Sequence, residues 1–132
     1  MQEFNNYCTQ LGISAHVKVT GLLSKSEWHT LSEDYDIFIN TTNVDNTPVS
    51  VVEAMALGLP VVSTNVGGLP FLLEDGKDAL LVNKGDAEAV YKSVKSLIDN
   101  TTLSSVIVDN ARSKAESFDW EKVKEKWREL LY

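Results

Sequence analysis

The sequence predicts an α/β fold with a mainly parallel sheet, because strand-like and helix-like patterns alternate along the chain. Short stretches rich in valine, isoleucine and leucine, typical of strands, alternate with stretches of helical spacing along the chain. Such alternation is typical of β-α-β units, whose right-handed crossovers place parallel strands side by side. Ligands bind open sheets of this kind at the carboxyl ends of the strands. The loops that follow the predicted strands are therefore the expected location of a site.

The first part of the chain is predicted to contain helices and strands in turn. A helix over 2–11 is expected to end at Gly12, a residue common at helix C-termini. The alternating valines of HVKVTG predict a strand over 16–21. The pattern Ser-x-x-Glu then forms a capping box that begins a helix over 24–34. The nearly continuous apolar run YDIFIN predicts a second strand over 35–40.

The middle of the chain predicts a helix that starts near Thr47, with Pro48 in its first turn, where proline is tolerated. That helix is expected to stop at Gly58, and LPVVSTN predicts a third strand over 59–65. The remaining predicted elements are a glycine turn and short helix over 66–76, a strand over 78–83, and helices over 86–100, 101–117 and 119–131.

Bulk properties exclude several classes of protein. The net charge of −7 argues against non-specific binding to nucleic acid or anionic membranes, which needs a basic surface. Cys8 is the only cysteine, so no internal disulfide forms. The sequence contains no apolar run of the length that spans a bilayer, about 18 residues. The first ten residues lack a basic segment followed by an apolar one, so we expect no signal peptide.

Glu53 is the residue that most suggests a function, because it interrupts the apolar helical stretch VSVVEAMAL. The preceding loop, TTNVDNTPVS, is polar and leads into a helix N-terminus, where free N–H groups favour phosphate. A carboxylate close to that loop is a good acceptor for the paired hydroxyls of a ribose attached to a diphosphate. The alternative is that Glu53 points to solvent or caps a backbone amide.

The segments YDIFIN and DNTPVSVVEAMALGLPVVSTNVGGLPFLLEDGKDALLV resemble the carboxyl-terminal half of retaining glycosyltransferases with two Rossmann-like domains, the GT-B fold. That family includes sucrose and glycogen synthases and bacterial polysaccharide-building transferases. It carries two acidic residues with seven residues between them, and the second precedes Ala-Met-Ala and a Gly-Pro-Val strand. The closing stretch FDWEKVKEKWRELLY resembles the family's last helix, and the similarity extends from Leu11 to Tyr132.

The resemblance assigns roles to residues of the central loop and helix. It implies that Glu53 binds the ribose of a nucleotide-sugar donor. It also implies that Asp45, an aspartate where glutamate is usual, is the catalytic residue that contacts the donor sugar near the reacting carbon and orients it. Thr47 and Pro48 replace the family's aromatic-glycine pair, and because proline has no N–H, neighbouring amides must contact the phosphates. Phe71 stands where the family has an acid. The implied donor-binding residues are Asp45, Asn46, Thr47, Val49, Ser50 and Glu53.

The resemblance also defines what this chain lacks. It implies one incomplete domain over 1–132, a truncated Rossmann-like three-layer αβα domain that binds a nucleotide-diphosphate sugar. By comparison with the family, we expect that two strands, a loop with an arginine and a lysine, and the amino-terminal acceptor domain are missing from these residues. In the sheet of the family, the missing strands lie between the strand formed by HVKVTG and the strand formed by YDIFIN. Their absence would leave strand edges unpaired, so we expect a rearranged assembly or a homodimer.

The implied function is transfer of a sugar from a nucleotide-diphosphate sugar to an acceptor hydroxyl with retention, in polysaccharide or glycoconjugate biosynthesis. Neither a cofactor nor a metal is expected, the fragment alone is expected to be inactive, and the parent enzyme is expected in the cytoplasm, peripheral to the inner face of the membrane. One alternative is a nucleotide-sugar epimerase, which the presence of only two histidines, His16 and His29, disfavours. The other is a non-enzymatic α/β interaction module; a receiver-like domain is disfavoured because the second strand ends in Asn40 where it needs an aspartate.

Overall fold

Within residues 2–131, three parallel strands form a sheet, and they lie side by side in the order in which they occur in the sequence. In the computed structural model, which describes residues 2–131, β1 spans Phe38–Asn40, β2 spans Val61–Thr64 and β3 spans Leu80–Val82. Phe38 is in register with Val61, and Val62 with Leu80. The parallel sheet that the sequence predicts is thus present. The helices are α1 (Gln2–Gln10), α2 (Lys25–Ser32), α3 (Val49–Leu57), α4 (Leu69–Leu72), α5 (Ala87–Asp99), α6 (Thr101–Glu116) and α7 (Trp120–Leu131).

The chain divides after Leu31 into two compact units, of which the second contains the sheet. In the first unit, a 3₁₀ turn over Ser14–His16 follows α1. The strand predicted over 16–21 is wrong, because residues 17–20 pair with no strand among the residues described. A strand needs the hydrogen bonds of a neighbour, and alternating valines alone do not supply one. That the whole chain is one incomplete domain stays a prediction.

Local capping signals in the sequence are confirmed at the start of two helices. At α2, the Ser24 amide donates to Glu27 Oε2 at 2.8 Å, and the Glu27 amide donates to Ser24 Oγ at 3.3 Å. At α5, the Asp86 side chain accepts from the Ala89 amide at 2.9 Å. Each side chain satisfies an N–H group that the helix itself leaves without an acceptor.

The core of the larger unit surrounds the central strand. All four residues of β2 are buried, so both faces of that strand are covered. On one face, Val62 belongs to a buried cluster with Val82, Leu97 of α5 and Ile107 of α6. Strand residues alternate between faces, so Val61 and Ser63 point to the other side. The sheet is therefore flanked by helices, as the α/β prediction requires.

Helix α3 connects β1 to β2 and packs closely against α6. Its buried residues are Val51, Ala54 and Met55. It ends at Gly58, which has φ of +81°, a left-handed conformation that glycine adopts without strain. The predicted helix stop is confirmed, and the helix places its N-terminus at the carboxyl end of β1.

Candidate functional site

The loop that joins β1 to α3, residues 41–48, is attached to the central strand. Thr64 at the end of β2 is buried, and its Oγ1 donates to the Thr42 carbonyl oxygen at 2.6 Å. At the preceding residue of β2, Ser63 Oγ accepts from Asn40 Nδ2 of β1 at 3.2 Å. These side-chain bonds join the carboxyl ends of two adjacent strands, where ligands of parallel sheets bind.

A second attachment joins the same loop to the glycine turn that follows β2. The Gly68 amide donates to the Asp45 carbonyl oxygen at 3.0 Å. A Cβ atom placed on Gly67 would lie 1.8 Å from that same oxygen, and one on Gly68 would lie 2.0 Å from the Asn46 carbonyl oxygen. Only glycine permits so close an approach of two backbone segments. The Gly67–Gly68 pair therefore determines where the Asp45 segment lies.

The side chain of Asp45 is half-buried, and its carboxylate accepts from the Asn46 amide at 2.8 Å. A short acidic side chain that bonds the next backbone amide stabilises a loop locally. Asn46 and Thr47 are both exposed. The arrangement presents one carboxylate and a polar, accessible loop at the carboxyl edge of the sheet.

Helix α3 begins one residue later than the sequence predicts. Pro48 occupies the N-cap position with φ of −68°, and the helix starts at Val49. The first hydrogen bonds of the helix come from the Val51 and Val52 amides, which donate to the Pro48 carbonyl oxygen at 3.1 and 3.4 Å. The amides of Val49 and Ser50 precede those bonds, and both residues are exposed. Amides in this position favour an anion.

Glu53 lies one helical turn beyond those amides. Residues three and four positions apart share a helix face, so Glu53 lies on the face of Val49 and Ser50. Its side chain is half-buried, beside the buried Ala54. The structure thus brings the carboxylate and the helix N-terminus onto one side of α3. The side chain of Glu53 is thus not fully exposed to solvent.

Two further residues, Phe71 and Glu74, lie beyond this loop. Phe71 on α4, where the resemblance would place an acid, is 93% exposed. Glu74 is exposed and accepts from Lys77 Nζ at 2.8 Å, a hydrogen bond that lowers the pKa of the Glu74 carboxyl. Glu74 is therefore a surface residue.

Sequence reasoning missed the contacts that hold the site in place. The Thr64–Thr42 bond joins residues 22 positions apart, and an ion pair joins Lys114 of α6 to the buried carboxylate of Asp78. A single sequence carries no signal that pairs such distant residues.

None of the helices over residues 2–131 combines the length and apolar character needed to cross a membrane.

These features define a class of protein: an α/β domain with a polar binding edge built from a glycine turn and a helix N-terminus. The chain belongs to the family described as glycosyl transferases group 1, whose model matches residues 2–114. The resemblance and the fold class that the sequence predicts are confirmed by this match and by solved structures.

The chain is also similar to part of two curated transferases. The chain is 32% identical over 107 residues to the amylovoran biosynthesis glycosyltransferase AmsK of Erwinia amylovora, covering 76% of this chain and 26% of the relative. It is 30% identical over 116 residues to the sulfoquinovosyl transferase SQD2 of Arabidopsis thaliana, covering 86% of this chain and 23% of the relative. The chain thus spans about a quarter of the length of these two relatives.

Solved structures share the fold closely. The chain aligns with Alr3699/HepE of Anabaena in complex with UDP at a TM-score of 0.88 and 27% identity, covering 98% of this chain and 36% of that one. The complex of the same protein with UDP-glucose gives a TM-score of 0.87 and 26% identity. This chain is therefore similar to about a third of a protein whose solved structures hold UDP or UDP-glucose.

Proposed function

We propose that this chain is the donor-binding portion of a glycosyltransferase that moves a sugar from a nucleotide-diphosphate sugar to an acceptor hydroxyl. The observation that carries the proposal is the joint placement of the Asp45 loop, the Gly67–Gly68 turn and the α3 N-terminus at the carboxyl edge of the sheet. Membership of the glycosyl transferases group 1 family and the likeness to a protein solved with UDP and with UDP-glucose support the same conclusion.

In this proposal, different residues at the carboxyl edge of the sheet bind different parts of the donor. The amides of Val49 and Ser50, with the exposed Asn46 and Thr47, contact the diphosphate, because a helix N-terminus favours negative charge. Those amides stabilise the charge that develops on the leaving diphosphate as the bond to the sugar breaks. No metal takes part in this scheme.

The two carboxylates bind the uncharged parts of the donor. Glu53 accepts hydrogen bonds from the vicinal hydroxyls of the ribose, which supply two donors to one carboxylate. Asp45 orients the donor sugar near the reacting carbon, a role supported by its half-buried carboxylate in the loop that precedes the α3 N-terminus. The transfer retains the anomeric configuration, and the product belongs to a polysaccharide or glycoconjugate, as the amylovoran relative suggests. The parent enzyme works in the cytoplasm, at the inner face of the membrane, and this chain alone does not catalyse transfer.

Isothermal titration calorimetry with UDP, GDP and ADP tests the role of Glu53. We expect Glu53→Ala to bind the preferred nucleotide about 10-fold more weakly, because a charge-assisted hydrogen bond is lost. Glu88→Ala is the matched control, because Glu88 is an exposed helical glutamate on α5. Wild-type protein that binds none of the three nucleotides would contradict donor binding by this chain.

A double-mutant cycle with the 2′-deoxy form of the preferred nucleotide identifies the contact itself. Removal of the hydroxyl should weaken binding to the wild type and to Glu88→Ala, but not to Glu53→Ala. If the deoxy nucleotide loses the same affinity in all three proteins, Glu53 does not bind the ribose.

A further inference from the structure

Helix α6 holds the segment between α4 and β3 through two of its side chains. Lys114 Nζ donates to the Leu72 carbonyl oxygen at 3.0 Å and forms an ion pair with the Asp78 carboxylate. One turn earlier on the helix, Asn110 Nδ2 donates to the Lys77 carbonyl oxygen at 2.9 Å. A side chain of α6 therefore contacts both ends of the 72–78 segment.

The Asp78–Lys114 pair is largely withdrawn from water. The Asp78 side chain is 1% exposed and that of Lys114 is 29% exposed. The second oxygen of Asp78, Oδ1, accepts from the Glu74 amide at 2.8 Å. A buried carboxylate is costly without such partners, so the position of Lys114 and that of the 72–78 segment depend on each other.

A single short helix, α4, separates the Leu72 carbonyl from the Gly67–Gly68 turn. Leu72 is the last residue of α4, a helix of four residues whose N-cap is Gly68. The Phe71 and Leu72 amides both donate to the Gly68 carbonyl oxygen, at 3.0 and 3.2 Å. The Gly68 amide in turn donates to the Asp45 carbonyl oxygen at 3.0 Å. With Leu69 and Leu72 buried, α4 has little freedom to move between these two attachments.

We propose that Lys114 is a positioning residue for the donor site. By holding the carboxyl end of α4, it sets the place of Gly68 at the other end and so the place of the Asp45 segment. Lys114 itself lies on α6 and belongs to none of the elements that form the donor-binding edge. This inference rests on the proposed function for the name of the site, whereas the coupling between Lys114 and Gly68 is a property of the fold.

Amide hydrogen exchange measured by NMR on the full chain tests the coupling. The quantity to follow is the exchange rate of the Gly68 amide divided by that of the Val62 amide in the central strand. A general loss of stability raises both rates, whereas a local loss of position raises the ratio. We expect Lys114→Met to raise the ratio about 10-fold, because the donor to Leu72 is lost. Lys114→Arg, which keeps a cationic donor, should restore most of the protection.

Two further variants keep the experiment decisive. Asp78→Asn/Lys114→Met removes the unpaired buried charge and so preserves folding, yet it should show the raised ratio because Leu72 still lacks its donor. Arg112→Met is the control, because Arg112 is an α6 cation whose ion pair with Glu116 is exposed. If the ratio in Lys114→Met and in Asp78→Asn/Lys114→Met equals that in Arg112→Met, Lys114 contributes only to stability and the inference is wrong.

Nucleotide titrations of the same proteins connect the coupling to the site. If the preferred nucleotide binds the wild type, we expect several-fold weaker binding to Lys114→Met and unchanged binding to Arg112→Met. If no nucleotide binds the wild type, the proposed function fails, while the exchange ratio still decides whether Lys114 positions Gly68.

Discussion

The Gly68 amide donates a hydrogen bond to the Asp45 carbonyl oxygen at 3.0 Å, and this bond joins the loops that follow two neighbouring strands. The two segments approach so closely that neither Gly67 nor Gly68 has room for a Cβ atom. The carboxylate proposed to orient the donor sugar is therefore positioned by backbone contacts from another part of the chain. This relationship makes the glycine turn the first place to test.

Gly67→Ala should lower the free energy of unfolding by about 1–3 kcal/mol more than Gly85→Ala, the range typical of overpacking. Both glycines have positive φ, +57° and +77°, so both alanines adopt a strained backbone. A Cβ at position 67 would lie 1.8 Å from the Asp45 carbonyl oxygen, whereas a Cβ at position 85 would face open space. Urea denaturation of both variants measures the difference. Equal losses of stability would show that the loop yields to the added methyl group without cost.

Thr64→Val should destabilise the fold by about 1 kcal/mol, because it removes a buried hydrogen bond and leaves the Thr42 carbonyl without that donor. The hydroxyl of Thr64 donates to that carbonyl at 2.6 Å, and the residue is 3% exposed. Thr102→Val makes the same chemical change at an exposed position of α6 and should be close to neutral. Thermal unfolding of both variants supplies the comparison. A stable Thr64→Val variant with unchanged nucleotide affinity would remove Thr64 from the account of the site.

Ser24→Ala should raise the pKa of the Glu27 carboxyl toward its ordinary value of 4.5. The Ser24 hydroxyl, and then the Ser24 amide, hold that pKa down by donating hydrogen bonds to the carboxylate. A carboxyl whose pKa is lowered in the folded state stabilises the protein at pH values above its unfolded-state pKa. That stabilisation is lost as the pH falls through the folded-state pKa. Carbon-13 titration of the Glu27 carboxyl measures the shift, with Ser26→Ala as the control.

The difference in free energy of unfolding between wild type and Ser24→Ala should accordingly be largest above pH 4.5. It should become smaller as the pH falls below that value. A difference that stays constant across the acid range would show that the carboxylate of Glu27 takes no part in the cap.

Ile39→Lys should weaken self-association of the chain. Among residues 2–131, β1 pairs with β2 alone, so its other edge offers backbone groups to a neighbouring chain. Ile39 is 45% exposed, and a lysine on an edge strand opposes pairing with a second copy. Sedimentation velocity over a range of concentrations is the measurement, with Ile98→Lys as a control on the exposed surface of α5. Wild-type protein that is monomeric throughout would end the proposal of a homodimer.

Much of the fold was predictable from short-range patterns. The capping box at Ser24, the N-cap at Asp86 and the helix stop at Gly58 all appear in the structure, because each depends on residues within one helical turn. The strand prediction for 16–21 failed, because alternating valines describe a strand only where a neighbouring strand supplies hydrogen bonds. The start of α3 moved by one residue because Pro48, with its fixed φ, takes the cap position.

The sequence by itself determined the order of helices and strands from residue 24 onward, the resemblance to the family, and the stretch around Asp45 and Glu53 where a ligand is expected. Those features depend on residues that are near one another in the chain. Only the tertiary structure decided that the Gly67–Gly68 turn packs on the Asp45 segment, that Thr64 holds Thr42, and that Lys114 pairs with Asp78. These contacts join distant positions, and they form because packing of the sheet and helices brings unrelated segments within hydrogen-bonding distance.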